Sequence, residues 1–142
     1  MLGMQVYDAS YIASCRETIE LNVQLYVTNV AADRDADFEV SFFNSQVMLL
    51  DYMFVHRLSG IEGKDGNPLN EVRVLCNSLL FNRGKLQIDK LPGWPNSAVS
   101  GLKLPSDRSI LGLVPGQDVK VTRDEFLRLS RAFFRELQNR YS

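Results

Sequence analysis

Residues 56–73 read HRLSGIEGKDGNPLNEVR and form a polar joint between two strongly apolar segments. Three glycines make the middle of this polar joint a loop. Asn67 followed by Pro68 has the pattern of an N-cap and a first helical residue, so a helix is predicted to begin at Pro68. The chain is therefore predicted to reverse at the polar joint, with a helix on either side of it.

The polar joint carries more ionisable and amide side chains than a connection between two helices requires. Arg57 and Arg73 stand near its ends. Between them lie the carboxylates of Glu62, Asp65 and Glu71, so bidentate arginine–carboxylate pairs are geometrically possible. Such pairs would either lock the turn or bind a ligand, and the structural role is favoured. The candidate binding residues are His56, Arg57, Glu62, Asp65, Asn67, Asn70, Glu71, Arg73 and Asn77.

The composition is that of a globular domain. The chain has 142 residues, of which 45% are hydrophobic and 23% are charged, and this length can bury one sizeable core. We therefore predict a single helical domain over residues 1–142. Sixteen basic residues against seventeen acidic ones leave a formal charge of −1, so no overall field draws the protein to nucleic acid or to an anionic membrane. A nucleic-acid partner is not expected.

Neither a targeting segment nor a membrane segment is indicated. Residues 1–8 lack a basic region followed by an apolar run, so no secretory signal is expected. The longest apolar tract, Val47 to Val55, is interrupted by Asp51 and is shorter than the roughly 20 residues that cross a bilayer. Cys15 and Cys76 lie far apart within apolar patterns, as buried thiols do. These features predict a soluble cytoplasmic protein with no membrane partner.

Apolar residues recur at helical steps over the first half of the chain. Helix one is predicted over residues 9–30, with one packed face and one solvated face. Helix two, residues 37–58, is apolar nearly all round, which is typical of a helix central to a core or part of a subunit contact. We therefore predict a homodimer through helix two or the last helix.

Asn44 and Asp51 are predicted to form a polar seam in helix two, where the carboxylate needs a partner.

The last helix has the clearest start signal in the chain. Thr122 is predicted to cap it, and Glu125 completes a capping box. Its apolar stripe is predicted to contain Phe126, Leu129, Phe133, Leu137 and Tyr141. The opposite side carries a row of three arginines, for which a solvated face is favoured over a phosphate-binding surface. These arginines are Arg128, Arg131 and Arg135.

Between helix three, predicted over residues 68–82, and the last helix the pattern changes to short β-like pieces. Prolines at four positions forbid a long helix there. Pro115 and Gly116 suit the centre of a type II turn, so residues 110–122 predict a β-hairpin. Trp94 is interpreted as a lid over the helical core in preference to an exposed recognition residue. The predicted fold class is mainly α, a four-helix bundle-like domain with a small β-hairpin insertion between helices three and four.

Patterns for metal binding and catalysis are weak. His56 is the one histidine, and the sequence contains no H-x-x-x-H pair, so no metal and no cofactor are expected. The glycines of the polar joint fit no nucleotide-binding pattern. Ser59 lies near His56, but neighbouring positions at a helix end do not establish a nucleophile and its base. A hydrogen-bonded structural histidine is favoured, and no catalytic residue is assigned.

Two resemblances are carried by specific runs of sequence. HRLSGIEGKDGNPLNEVRVLCNSLLFN and SILGLVPGQDVKVTRDEFLRLSRAFFREL resemble a group of small uncharacterised bacterial proteins, which implies a single cytoplasmic domain and no particular chemistry. The helical pattern is also similar to HEPN-type domains, in which an arginine and a polar residue precede a histidine that cleaves RNA. Arg73 matches that arginine, but Val74 replaces the polar residue and positions 77–79 contain no histidine. This similarity implies binding in preference to cleavage.

The sequence favours an interaction module or small-ligand-binding module over an enzyme. Its expected partners are a second copy of the chain and either an anionic small molecule or another protein. The alternative is a HEPN-like, RNA-directed ribonuclease or a catalytically inactive relative of one.

Overall fold

The computed structural model describes residues 3–30, 36–88, 104 and 108–142. The described residues form five α-helices and no strand. The helices are α1 (Ala9–Asn29), α2 (Ala36–Met53), α3 (Ser59–Glu62), α4 (Pro68–Phe81) and α5 (Arg123–Tyr141). The prediction of a mainly helical fold is therefore confirmed.

Helix α4 lies at the centre of the fold. Every residue from Leu69 to Ser78 is buried except Arg73, which is half-buried, and the helix packs against both α2 and α5. Asn67 starts α4 as predicted, because its side-chain oxygen accepts hydrogen bonds from two backbone amides of the first turn. The central position predicted for helix two therefore belongs to α4. Helix α2 leaves apolar side chains exposed at both ends, and Tyr52 is 74% exposed.

Helix α5 covers the core with one continuous apolar stripe. The capping box is present, because Thr122 Oγ1 accepts from Glu125 N at 3.4 Å and Glu125 Oε1 accepts from Thr122 N at 3.1 Å. All five residues of the predicted stripe are buried. Both the start of the last helix and its packed face are confirmed.

Helix α1 lies along α2 and α5. Its buried side chains follow the predicted spacing, and the predicted burial of both cysteines is confirmed. Three side-chain hydrogen bonds fix α1 on α2. They join Tyr11 Oη to Met53 O (2.6 Å), Asn22 Nδ2 to Gln46 Oε1 (2.9 Å) and Tyr26 Oη to Glu39 Oε1 (3.1 Å).

The polar joint contains a short helix that was not predicted. Helix α2 ends at Met53 instead of continuing to residue 58, and residues 54–56 form a turn. The cause is a contact with the start of the chain. Leu58 N donates to Met4 O at 2.9 Å, so the backbone here is extended beside Met4 and cannot continue the helix. Helix α3 follows directly, which gives five helices in the described part of the chain where four main helices were predicted.

The predicted β-hairpin over residues 110–122 is not formed. The chain turns at Val114–Gln117, but its backbone groups find partners elsewhere. Leu86 N donates to Gln117 O at 2.8 Å, and Val119 N donates to the carbonyl of Gly84 at 2.7 Å. One isolated antiparallel bridge results, between residues 85 and 118. Trp94 and residues 99–103, which belong to the region predicted to hold short β-like pieces, lie outside the described residues.

We expect Thr122→Ala to lower the free energy of unfolding by about 1 kcal/mol, because it removes the side-chain acceptor at the N-terminus of α5. Phe133→Ala should lower it by about 3 to 5 kcal/mol, since the ring is fully buried. Urea unfolding followed by circular dichroism measures both values. Two equal, negligible changes would show that α5 is not docked as described.

Candidate functional site

The polar joint is built around the carboxylate of Glu62, the last residue of α3. Glu62 has no solvent exposure. A carboxylate in such a place is stable only with charged or hydrogen-bonding partners, because burial of an unpaired charge is costly. The partners of Glu62 therefore define the site.

Both carboxylate oxygens of Glu62 are engaged. Oε1 accepts from Arg57 Nε at 2.7 Å and from Arg73 Nη2 at 3.2 Å. Oε2 accepts from Asn70 Nδ2 at 2.8 Å. The arginine–carboxylate pairing proposed for the two ends of the joint is thus present, and both arginines meet on the same oxygen. We call Asp51, Arg57, Glu62, Asn70 and Arg73 the Glu62 network.

Arg57 is the most deeply buried cation in this network, with a side-chain exposure of 0%. Its Nη2 donates to Asp51 Oδ1 at 2.9 Å and to Leu69 O at 3.1 Å, and its Nη1 donates to Phe54 O at 3.1 Å. Burial alone lowers the pKa of Arg57, but the charges of Glu62 and Asp51 outweigh that effect and raise the pKa above its usual value. Arg57 thus stays charged and joins the end of α2 to α3 and α4.

Backbone conformation brings Glu62 and α4 together. Gly63 follows Glu62 with a φ of +76°, a conformation that side chains strongly disfavour. A Cβ atom at this position would also lie 3.1 Å from Arg140 Nη1. Asn67 both caps α4 and donates from Nδ2 to Glu62 O at 2.7 Å. The glycine and the capping asparagine therefore fix where α3 ends relative to where α4 begins.

Asp65 lies at the solvent-facing edge of the joint. It accepts from Asn67 Nδ2 at 2.8 Å, and this hydrogen bond, with the charge of Arg140 as a smaller contribution, lowers the pKa of Asp65. Arg140 also donates from Nη1 to the carbonyls of Ile61 and Glu62, at 3.2 and 3.1 Å. The last turn of α5 is thereby tied to α3.

Glu71 belongs to a different contact. Its carboxylate accepts from the backbone amides of Ile110 and Leu111, at 2.7 and 3.0 Å, and from Ser109 Oγ at 2.7 Å. Glu71 therefore holds the segment that precedes α5 against α4. It makes no ion pair with another described residue.

His56 and Asn77, both predicted site residues, form no side-chain hydrogen bond with Glu62 or Glu71. His56 is exposed and lines a groove together with residues at the start of α1. Asn77 lies one helical turn beyond Arg73 and is buried. Among the described residues, three buried polar atoms have no hydrogen-bond partner, and these are Tyr7 Oη, Arg73 Nε and Asn77 Nδ2.

The groove that contains His56 has a volume of about 610 Å³. We call it the tyrosine groove. Tyr7, Tyr11 and Tyr52 line it, and Asp8 and His56 add a carboxylate and an imidazole. Burial raises the pKa of Tyr7 to about 12, so its hydroxyl stays protonated at neutral pH.

Sequence reasoning missed several members of the site. Asp51 carried a signal, because a carboxylate within an apolar tract needs a cation, yet the sequence did not indicate which one. Arg140 and Ser109 carried none, since each lies far along the chain from the residue that it contacts. Tyr141, which donates to Leu58 O at 2.8 Å, was predicted only as a core residue.

No family model, curated protein or solved structure matches this chain. Among the described residues, no helix combines the length and the apolar character needed to cross a membrane. The same part of the chain holds no group of three or more His, Cys, Asp or Glu side chains placed to bind a metal ion. The site must therefore be interpreted from its own geometry.

The geometry is that of a buried ion-pair network that connects helices. Two carboxylates, Asp51 and Glu62, face two guanidinium groups, Arg57 and Arg73, and each oxygen of Glu62 already has a protein donor. The network ties together α2, α3 and α4, and Arg140 adds α5. A ligand that bound the Glu62 carboxylate would have to displace these bonds, so we interpret the Glu62 network as structural.

We expect Arg57→Ala to lower the free energy of unfolding by about 3 to 5 kcal/mol, because it leaves the buried Glu62 carboxylate without its principal cation. Arg73→Ala should cost less, since it removes one longer bond from a half-buried position. The matched control is Arg108→Ala, whose contact with Asp65 is exposed and should contribute no more than about 1 kcal/mol. Thermal melts of all three variants equal to that of the wild type would contradict the structural role.

Proposed function

We propose that this protein is a non-enzymatic interaction module that forms a two-fold homodimer through the tyrosine groove. The observation that carries the proposal is the grouping of exposed apolar side chains around this groove. Contiguous apolar surface that rims a groove is typical of a protein–protein contact. The exposed apolar residues at the groove are Met4, Val6, Tyr11, Tyr52 and Val55.

The chemistry of the groove favours a second copy of the same chain as the occupant. Tyrosine and methionine are enriched at the cores of protein interfaces, and tyrosine combines a large apolar area with few rotatable bonds. Tyr52 protrudes beside the groove and is 74% exposed. In a two-fold dimer the Tyr52 ring of each copy enters the groove of the other, because such a contact uses the same patch on both copies.

The polar side chains of the groove support the same arrangement. The tyrosine groove holds one carboxylate, Asp8, and one imidazole, His56. Asp8 makes no side-chain hydrogen bond at the start of α1. A two-fold axis allows the Asp8 carboxylate of each copy to accept a hydrogen bond from the His56 imidazole of the other.

We propose no enzymatic activity because the central carboxylate of the polar joint is bonded within the protein. Glu62, at the centre of the Glu62 network, is fully buried, and both of its oxygens accept hydrogen bonds from protein side chains, which leaves this carboxylate unavailable to a substrate. Arg73, which the HEPN resemblance singles out, donates to Glu62 with a side-chain exposure of 11%. The RNA-directed alternative therefore has less support than self-association.

We expect the wild type to have the mass of a dimer by light scattering at micromolar concentration, and Tyr52→Glu to have the mass of a monomer. The physical reason is that two carboxylates would have to enter apolar grooves without partners. Leu25→Glu is the matched control, because Leu25 is also exposed, at 51%, but lies outside the groove. It should remain dimeric.

A monomeric wild type would reject the proposal. A monomeric Leu25→Glu variant would also count against it, because it would place the contact on α1 away from the groove. RNA that co-purifies with the wild type and is lost in Arg73→Ala would favour the RNA-directed alternative.

A further inference from the structure

A second groove runs between α1 and α5, on the other side of α1 from Tyr11, and has a volume of about 630 Å³. This volume falls within the range of roughly 300 to 1,000 Å³ that is common for small-molecule sites. On α5 the lining extends from Leu127 to Gln138, which corresponds to about 16 Å along a helix axis. The groove therefore has the length and the volume of a site for an extended small molecule.

The floor of this groove is apolar. Ile19 and Val23 contribute from α1, and Leu127 and Phe134 contribute from α5. Three of these four side chains are buried and Leu127 is half-buried, so the floor is continuous with the core. An alkyl chain lying on this floor would be removed from water along its length, which is favourable by the hydrophobic effect.

The rim of the groove is basic. Its ionisable lining residues are Arg16, Arg131 and Arg135 against Glu20. The guanidinium of Arg16 lies over the Phe134 ring, with its Cζ atom 5.1 Å from the ring centroid. Within the described residues, neither Arg131 nor Arg135 forms an ion pair or a hydrogen bond through its side chain. We call this surface the arginine groove.

In the described part of the chain, Arg131 and Arg135 lack internal partners, whereas two other arginines of α5 have them. Arg140 pairs with Glu136 and Asp65, and Arg128 donates to the carbonyl of Ile110. Arg131 and Arg135 are one helical turn apart, so their guanidinium groups lie on neighbouring parts of the same rim. Their donors are therefore available to a carboxylate, which arginine binds through charge-assisted and often bidentate hydrogen bonds.

We propose that the arginine groove binds a free amphiphilic carboxylate, that is, a molecule with one carboxylate head and an unbranched alkyl tail. The head lies at Arg131 and Arg135, and the tail lies on the apolar floor beside Phe134. The excess of basic over acidic side chains selects the anion, and the limited length of the groove, about 16 Å along α5, selects a single chain over a membrane surface. This site is separate from the tyrosine groove, and its test does not depend on the dimer.

The probes are decanoate and decyltrimethylammonium, which have alkyl tails of the same length and opposite charges. Isothermal titration calorimetry of the full chain, below the micellar concentration of either probe, is expected to show binding of decanoate and not of decyltrimethylammonium. The double variant Arg131→Gln, Arg135→Gln should weaken decanoate binding by about tenfold or more, because two charge-assisted bonds are lost. Arg128→Gln, on the same helix but outside the groove, is the matched control and should bind as the wild type does.

Thermal melts of the double variant should equal those of the wild type, since neither arginine has an internal partner. A shared loss of stability and binding would place these arginines in the fold and overturn the proposal. Equal binding of the two probes would show a site without charge selection, and no heat with decanoate would show no site. Binding to phosphatidylglycerol vesicles in the absence of decanoate binding would assign the groove to a membrane surface and overturn the proposal in favour of that source.

Discussion

The fold depends on a carboxylate that has been taken out of water. Glu62 is stable in the interior because two guanidinium groups and an amide surround it, and these groups come from the segment after α2 and from α4. Removing any one partner would leave buried charge without full compensation, which would destabilise the fold. The carboxylate is satisfied in this relative placement of the helices, which it thereby stabilises, and Arg140 extends this constraint to α5.

Side chains also replace a sheet in this protein. The segment before α5 has no partner strand among the described residues, yet its backbone groups need hydrogen bonds. Glu71 accepts from two of its amides, and Asn44 of α2 accepts from Val121 N and donates to Val119 O, at 3.1 and 3.0 Å. Polar residues inside two apolar helices thus anchor an irregular segment, which explains why they occur there.

The features that were predictable from sequence are those that depend on near neighbours. The starts of α4 and α5 follow from caps within three residues of each helix. That Arg57 and Arg73 pair with carboxylates of the joint follows from charges within one short segment, but the choice of Glu62 over Asp65 and Glu71 does not. The early end of α2 depends on Met4, and the loss of the hairpin depends on residues 84–86. No local pattern contains that information, because these backbone pairings join distant parts of the chain.

The two grooves lie apart from the Glu62 network, since no member of the network lines either of them. Helix α1 contributes to both grooves and is fixed on α2 by hydrogen bonds from Tyr11, Asn22 and Tyr26, which span most of its length. The wall that α1 gives to each groove is therefore held in place by contacts within the chain. A wall that is already ordered spares a partner the entropy cost of ordering it, which supports the proposals made for both surfaces.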